Sequence, residues 1–226
     1  MTGFALSEVE LTRQYLNKNH AYRHKIINPA RRALLNTHLD NSIPYTSAVA
    51  WRSFAPMLGS TNIASINTNG CAGNGSCHIF MDSLQAHSYL WTYMAGGGTD
   101  TSCANPVMSS SQCINLNLNT IFMQLYGSYF VEWAKGGITG TKNHLLRAPL
   151  ANAGMPLATC WTGAGPRWYF HHMGLGESIG FSTLQSQNNT DIYDPGNIQW
   201  LGGVRMALMG DPSLRLHIVY PVTQLT

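Results

Sequence analysis

The chain has 226 residues and a net charge of +3, with 44% hydrophobic and only 10% charged residues. That length suits one domain spanning 1–226 with a core large enough to need no staples, and so little charge excludes charge-driven disorder. The one tight basic cluster, Arg23, His24, Lys25, Arg31 and Arg32, is too sparse for a nucleic-acid footprint, and no apolar run is long enough to span a membrane.

Residues 7–19 carry Val9, Leu11, Tyr15 and Leu16 at near-helical spacing, with Ser7 and Glu10 placed as a capping box. The preceding residues have no apolar h-region and do not read as a signal peptide. Residues 31–36 predict a short buried strand after Pro29, and 45–58 a helix through Trp51, Phe54 and Leu58. Residues 59–77 are rich in Gly, Asn and Ser and read as a loop. The aromatic run 88–95 predicts a strand that stops at Gly96-Gly97-Gly98, and 99–118 a second long loop. Residues 119–126 predict another strand, ended by Gly127-Ser128. A loop follows over 134–141, then a short helix over 143–152 interrupted by Pro149. Residues 156–162 predict a third strand, 169–182 a helix, and 203–209 a last strand closed by the turn Gly210-Asp211-Pro212-Ser213.

Apolar strands without alternation are buried on both faces. Separated by helical segments, they predict a mostly parallel sheet in an α/β sandwich, whose strand-end loops build the site. Three exits stand out: Gly96–Asp100, Gly127–Trp133 and Trp161–Trp168.

Of the five cysteines, Cys71 and Cys77 flank one polar loop and Cys103 and Cys113 another. Both pairs could close local disulfides in an oxidising compartment, although other pairings are equally allowed. Cys160 then remains inside an apolar strand. CxxC zinc spacing is absent, and His171-His172 followed by Glu177 has no recognised metal spacing, so neither metal nor cofactor is expected. The abundance of Asn, Ser, Thr and Gly in place of charge is common in secreted bacterial proteins, which suggests an extracellular or cell-surface setting.

Over residues 85–219 the chain resembles the catalytic domain of gingipain-type cysteine peptidases, a caspase-like fold of clan CD. SYLWTYMAGGG resembles the strand ending in the catalytic His-Gly, and TIFMQLYGSYFVEW the strand ending in the catalytic Cys. GMPLATCWTGAGPRW resembles the next strand with its specificity-pocket loop. GLGESIG resembles the helix that follows, and MALMGDPSLRL the closing strand with its Gly-Asp-Pro-Ser signature. The resemblance implies a caspase-like three-layer sandwich. It also exposes a departure. The family's histidine falls at or beside Gly96, and no His lies between His87 and His144. The family's cysteine falls at Gly127 or Ser128. Thiolate attack and imidazole proton transfer both need side chains that glycine lacks.

The remaining candidates are few. Ser128 stands at the nucleophile's strand end, with His144, His171 or His172 as conceivable bases, though a turn serine bonding its own backbone is commoner. Cys160 lies one strand away in what reads as core. Asp100 and Glu132 could meet a cation or a basic group, and Gly96, Gly97 and Gly127 could let backbone approach a ligand. Trp161 and Trp168 could wall a pocket. Two functions follow: a pseudo-peptidase domain that binds a peptide or protein, or a hydrolase with a rearranged site built on Ser128 or Cys160 and a histidine such as His172.

Overall fold

The computed structural model of the chain describes residues 3–40, 46–68, 79–103, 107–131, 143–162, 168–188 and 206–216. The chain opens with α1 (Glu8–Arg23), whose capping box forms as predicted: the Glu10 amide donates to Ser7 Oγ at 3.3 Å and the Ser7 amide to Glu10 Oε2 at 2.8 Å. Strand β1 (Ala33–Asn36), α2 (Thr46–Leu58), β2 (Ile63–Ile66), α3 (Ile79–Ala86) and β3 (Tyr89–Ala95) follow. Three two-residue strands, β4 (Gly98–Thr99), β5 (Ser102–Cys103) and β6 (Met108–Ser109), lead into α4 (Ser110–Asn115) and β7 (Thr120–Tyr126). The order ends with α5 (Ala148–Ala151), β8 (Ala158–Thr162), α6 (His171–Gly174), α7 (Ile179–Gln187) and β9 (Met206–Gly210).

Six strands form one sheet in the order β2-β1-β3-β7-β8-β9, parallel throughout except that β9 runs antiparallel to β8. Every residue of β3 is buried, as a central parallel strand requires. Apolar clusters cover both faces. One gathers Tyr22, Phe54, Trp91, Phe122, Phe170 and Met173, the other Phe80, Leu84, Met123, Leu125, Phe130 and Leu145. The result is the caspase-like, three-layer α/β sandwich, with a mostly parallel centre.

Several local expectations need correction. The loop expected over 59–77 contains β2, a four-residue edge strand too short to stand out among its polar neighbours. The loop expected over 99–118 folds into the antiparallel β4-β5-β6 sheet and the capped helix α4. Pro149 does not interrupt a helix. It sits at the start of α5, where a missing amide costs nothing. The helix expected over 169–182 breaks between α6 and α7, around Gly176 with φ +94°. Cys103 and Cys113 are not disulfide-bonded. Each is a free thiol with no exposed surface, packed as a small apolar side chain in the second cluster, and burial raises both pKa values. Cys71 and Cys77 lie outside the described residues, as do Glu132 and the loop over 134–141.

The two motifs at the end of the chain grip one another. The Ile179 amide donates to Leu214 O and the Gly180 amide to Pro212 O, both at 2.8 Å, while the Arg215 guanidinium donates to Gly176 O. A Cβ on Gly180 would lie 2.7 Å from Pro212 O, so glycine is what lets α7 approach the turn. Asp211 anchors this unit to α1. Its Oδ2 accepts from Asn19 Nδ2 and Arg23 Nη2, each at 2.7 Å, and its Oδ1 from the Ser213 amide and hydroxyl. Burial alone would raise the Asp211 carboxyl, but these bonds outweigh it and hold the group well below the usual carboxylate range. Gly210 pairs with Ala158, the first residue of β8, so the whole assembly sits at the amino edge of the parallel strands.

Candidate functional site at the carboxyl edge of the sheet

Because β1, β3, β7 and β8 are parallel, their last residues share one edge. The exits of β3 and β7 are in direct contact there, with the Gly96 amide donating to Tyr126 O at 3.0 Å. A Cβ on Gly127 would run into the Gly96 carbonyl and come within 2.6 Å of Phe130 Cζ. A Cβ on Gly98 would meet Ser102 O and lie 2.8 Å from Phe130 Cε1. Gly97 differs, since a Cβ there has nothing within 4 Å. Gly96 and Gly127 are therefore adjacent, as the resemblance implies, but the ring of Phe130 packs against the backbone between them. Phe130 is fully buried.

Trp161 fixes the β7 exit by donating from Nε1 to Gly127 O at 2.7 Å. Ser128 is exposed, and Tyr129 after it takes φ +68°, a costly conformation for a non-glycine residue that turns the chain so Phe130 points inward. Among the described residues no hydrogen bond joins Ser128 to a histidine.

Asp100 follows β4 and is buried. Its carbonyl accepts from the Leu145 amide at 2.8 Å, and its Oδ2 has no hydrogen-bond partner among the described residues. His144 is buried beside it. Burial, reinforced by Arg147, pushes the imidazole down to about 4, against the opposing influence of a hydrogen bond to the Phe130 backbone and the Asp100 charge. The ring is thus neutral near pH 7. At the β1 exit, buried Asn36 donates from Nδ2 to Thr68 Oγ1 at 3.1 Å and accepts the His38 amide at 2.8 Å. His38 Nδ1 lies 2.9 Å from Thr68 Oγ1. Sequence reading missed this knot, because Asn and His after a short strand look like any loop.

The other predicted residues lie elsewhere. Cys160 is fully buried mid-strand in the first apolar cluster, and burial raises its pKa well above an ordinary thiol's, which suppresses the thiolate. His172 is on α6, which packs against α2. Its Nδ1 lies 3.1 Å from Tyr169 O, and its ring lies against that of His171, tilted by 31°. Trp168 is buried and stacks on Phe170 with ring centroids 5.2 Å apart, so it belongs to the core rather than to an open wall. Among the described residues no three His, Cys, Asp or Glu side chains converge as metal ligands, and no helix is long and apolar enough to cross a membrane. A cavity of about 510 Å³ opens on the opposite edge, lined by Leu11, Tyr15, Arg147, Leu150 and Asp211 among others.

No family model and no curated relative matches the chain. A solved structure described as a protease superposes with a TM-score of 0.58 at 12% sequence identity, over 93% of this chain. The fold is protease-like. The chain spans 54% of that protein's length, and an identity this low speaks for the fold alone.

Proposed function

We propose that this protease-like domain is a non-catalytic relative of gingipain-type peptidases that binds or scaffolds a peptide or protein ligand in an extracellular setting. The observation that carries the reading is the β3–β7 junction. Where a cysteine peptidase of this kind needs an imidazole and a thiol, the chain has Gly96, Gly97, Gly127 and Ser128, and Phe130 fills the space between the two exits. Nucleophile and base act as a unit, so loss of either removes most of the rate. The three described thiols, all buried, are inaccessible to oxidants and alkylating agents alike.

The exposed backbone at Gly97 and the partly buried edge of Trp161 remain as binding groups for an extended chain. A panel of labelled peptide, ester and amide substrates tests the proposal, run on the wild type, S128A and C160A, with and without iodoacetamide. The expected result is no turnover in any arm. Cleavage of Arg- or Lys-containing peptides that alkylation abolishes, with the label mapped to a cysteine, would overturn the proposal. Cleavage lost in S128A alone would replace it with a serine hydrolase on the same frame.

A further inference from the structure

Helix α1 carries His20 in its last turn and is capped at its carboxyl end by His24, four residues on. Both are exposed, and their ring centroids lie 4.1 Å apart with planes tilted by 38°. Imidazoles at i and i+4 share one helix face, and this spacing is the one by which a helix presents two nitrogens to a single metal ion. Two nitrogens each about 2.0–2.1 Å from a common ion stand roughly 3 Å apart, which rings at this separation reach by small side-chain rotations.

The electrostatic setting is permissive. The last turn of a helix carries partial negative charge, favouring a cation. The guanidinium of Arg23, the residue before His24, is turned toward Asn19 Oδ1, Asp211 Oδ2 and Ser213 Oγ, so its charge is matched by a carboxylate.

We propose that His20 and His24 form a two-nitrogen surface chelate for a divalent cation of the copper(II), nickel(II) or zinc(II) class, with water in the remaining positions. Neutral imidazoles select these ions over magnesium and calcium, which take oxygen ligands. The site lies on α1 and is independent of the carboxyl-edge reading. A second imidazole pair, His171 and His172, also has centroids 4.1 Å apart. It is sequence-adjacent, and His172 Nδ1 already lies against Tyr169 O, which makes it the internal control.

The test is calorimetric titration of the full chain, free of any affinity tag, with copper(II) and with zinc at pH 7.5. H20A, H24A and H171A are run in parallel, and each variant's melting temperature in EDTA confirms its fold. The wild type and H171A should bind one ion alike, while H20A and H24A should bind on the order of a hundredfold more weakly, as loss of one arm of a chelate requires. If either alanine variant is unstable in EDTA, His20→Gln and His24→Gln take its place. Wild-type binding no tighter than that of H20A, or binding abolished by H171A, would overturn the assignment.

Discussion

At the amino edge of the sheet the polar groups are matched: Asp211 receives four hydrogen bonds, Tyr15 Oη donates to Leu157 O and accepts the Asp211 amide, and Arg23 pairs with Asp211. Lys18, buried in α1, donates to the carbonyls of Leu150, Asn152 and Pro156, tying α1 to the end of α5 and the entrance of β8. At the carboxyl edge the glycine exits are capped by an aromatic ring, a buried carboxylate oxygen lacks a partner among the described residues, and a histidine is held neutral. Two of the motifs that carry the family resemblance, GLGESIG and MALMGDPSLRL, meet at the first edge, where they serve stability. At the second edge the strand exits present Gly96, Gly97, Gly127 and Ser128. The frame and the groups at its strand exits are thus specified by different parts of the chain.

The largest expected effects are at the amino edge. Gly210 has φ +118°, and a Cβ there would lie 2.9 Å from Ala158 Cα, so Gly210→Ala should cost about 3 kcal/mol or more in urea unfolding. Asp211→Ala removes the acceptor for four donors and leaves Arg23 without its carboxylate, with a similar expected loss of about 3 kcal/mol. Because the folded Asp211 carboxyl is depressed, its contribution is present above the ordinary carboxylate pKa and is lost as pH falls below about 4. Asp211→Asn should flatten that acid limb. If Asp211→Ala unfolds with wild-type stability, the amino edge is not the anchor described.

At the carboxyl edge the three glycines should separate sharply. Gly127→Ala and Gly98→Ala force a Cβ into backbone and into Phe130 and should destabilise by about 2–4 kcal/mol, whereas Gly97→Ala should stay within about 0.5 kcal/mol. Phe130→Ala should cost about 3–5 kcal/mol by opening a cavity. Equal effects at Gly97 and Gly127 would mean that the exits do not meet as described.

How much of this was legible in the sequence depended on whether a feature is periodic or positional. The β3, β7 and β8 runs are apolar without alternation and stop at glycine or a polar turn, which is enough to place buried parallel strands. The Ser7–Glu10 box announces α1 in the same way. Strand β2 was hidden because an edge strand of four residues, half of them exposed, has no pattern to read. Phe130 was missed for a different reason. An aromatic residue after a Gly-Ser-Tyr turn looks like any core residue, and only the backbone of Tyr129 decides that it fills the junction. The Cys103–Cys113 pairing failed because loop spacing says nothing about burial, and both thiols point into the core.

The two edges should also titrate in separate windows. Burial lowers Lys18 to about 7, below its unfolded value near 10.4. The unfolded chain binds the extra proton between those values, so stability should rise with pH from about 7 to about 10, and Lys18→Met should remove that slope. His144 is pushed down to about 4, below the usual 6.5, so stability should fall as pH drops from about 6.5 toward 4, a trend His144→Asn should weaken. Melting temperatures across pH 4–10 for the three proteins separate the edges, and a His144→Asn profile that overlays the wild type would place no titrating imidazole at the carboxyl edge.

The smallest expected effect is at Ser128. The side chain is exposed, donates no hydrogen bond among the described residues, and precedes the strained Tyr129 instead of sharing its conformation. Ser128→Ala should therefore change unfolding free energy by less than about 0.5 kcal/mol, and any ligand affinity by little, because the backbone at Gly97 and Gly127 is unaltered. Yet Ser128 is also the serine at the strand end where a nucleophile would stand, so stability and activity can be read separately at this one position. Unchanged stability with unchanged ligand binding fits an edge that recognises through backbone. Unchanged stability with lost turnover of any substrate would mean that the carboxyl edge had kept chemistry after all, and the contrast between the two edges would have to be redrawn around Ser128 and a histidine that reaches it.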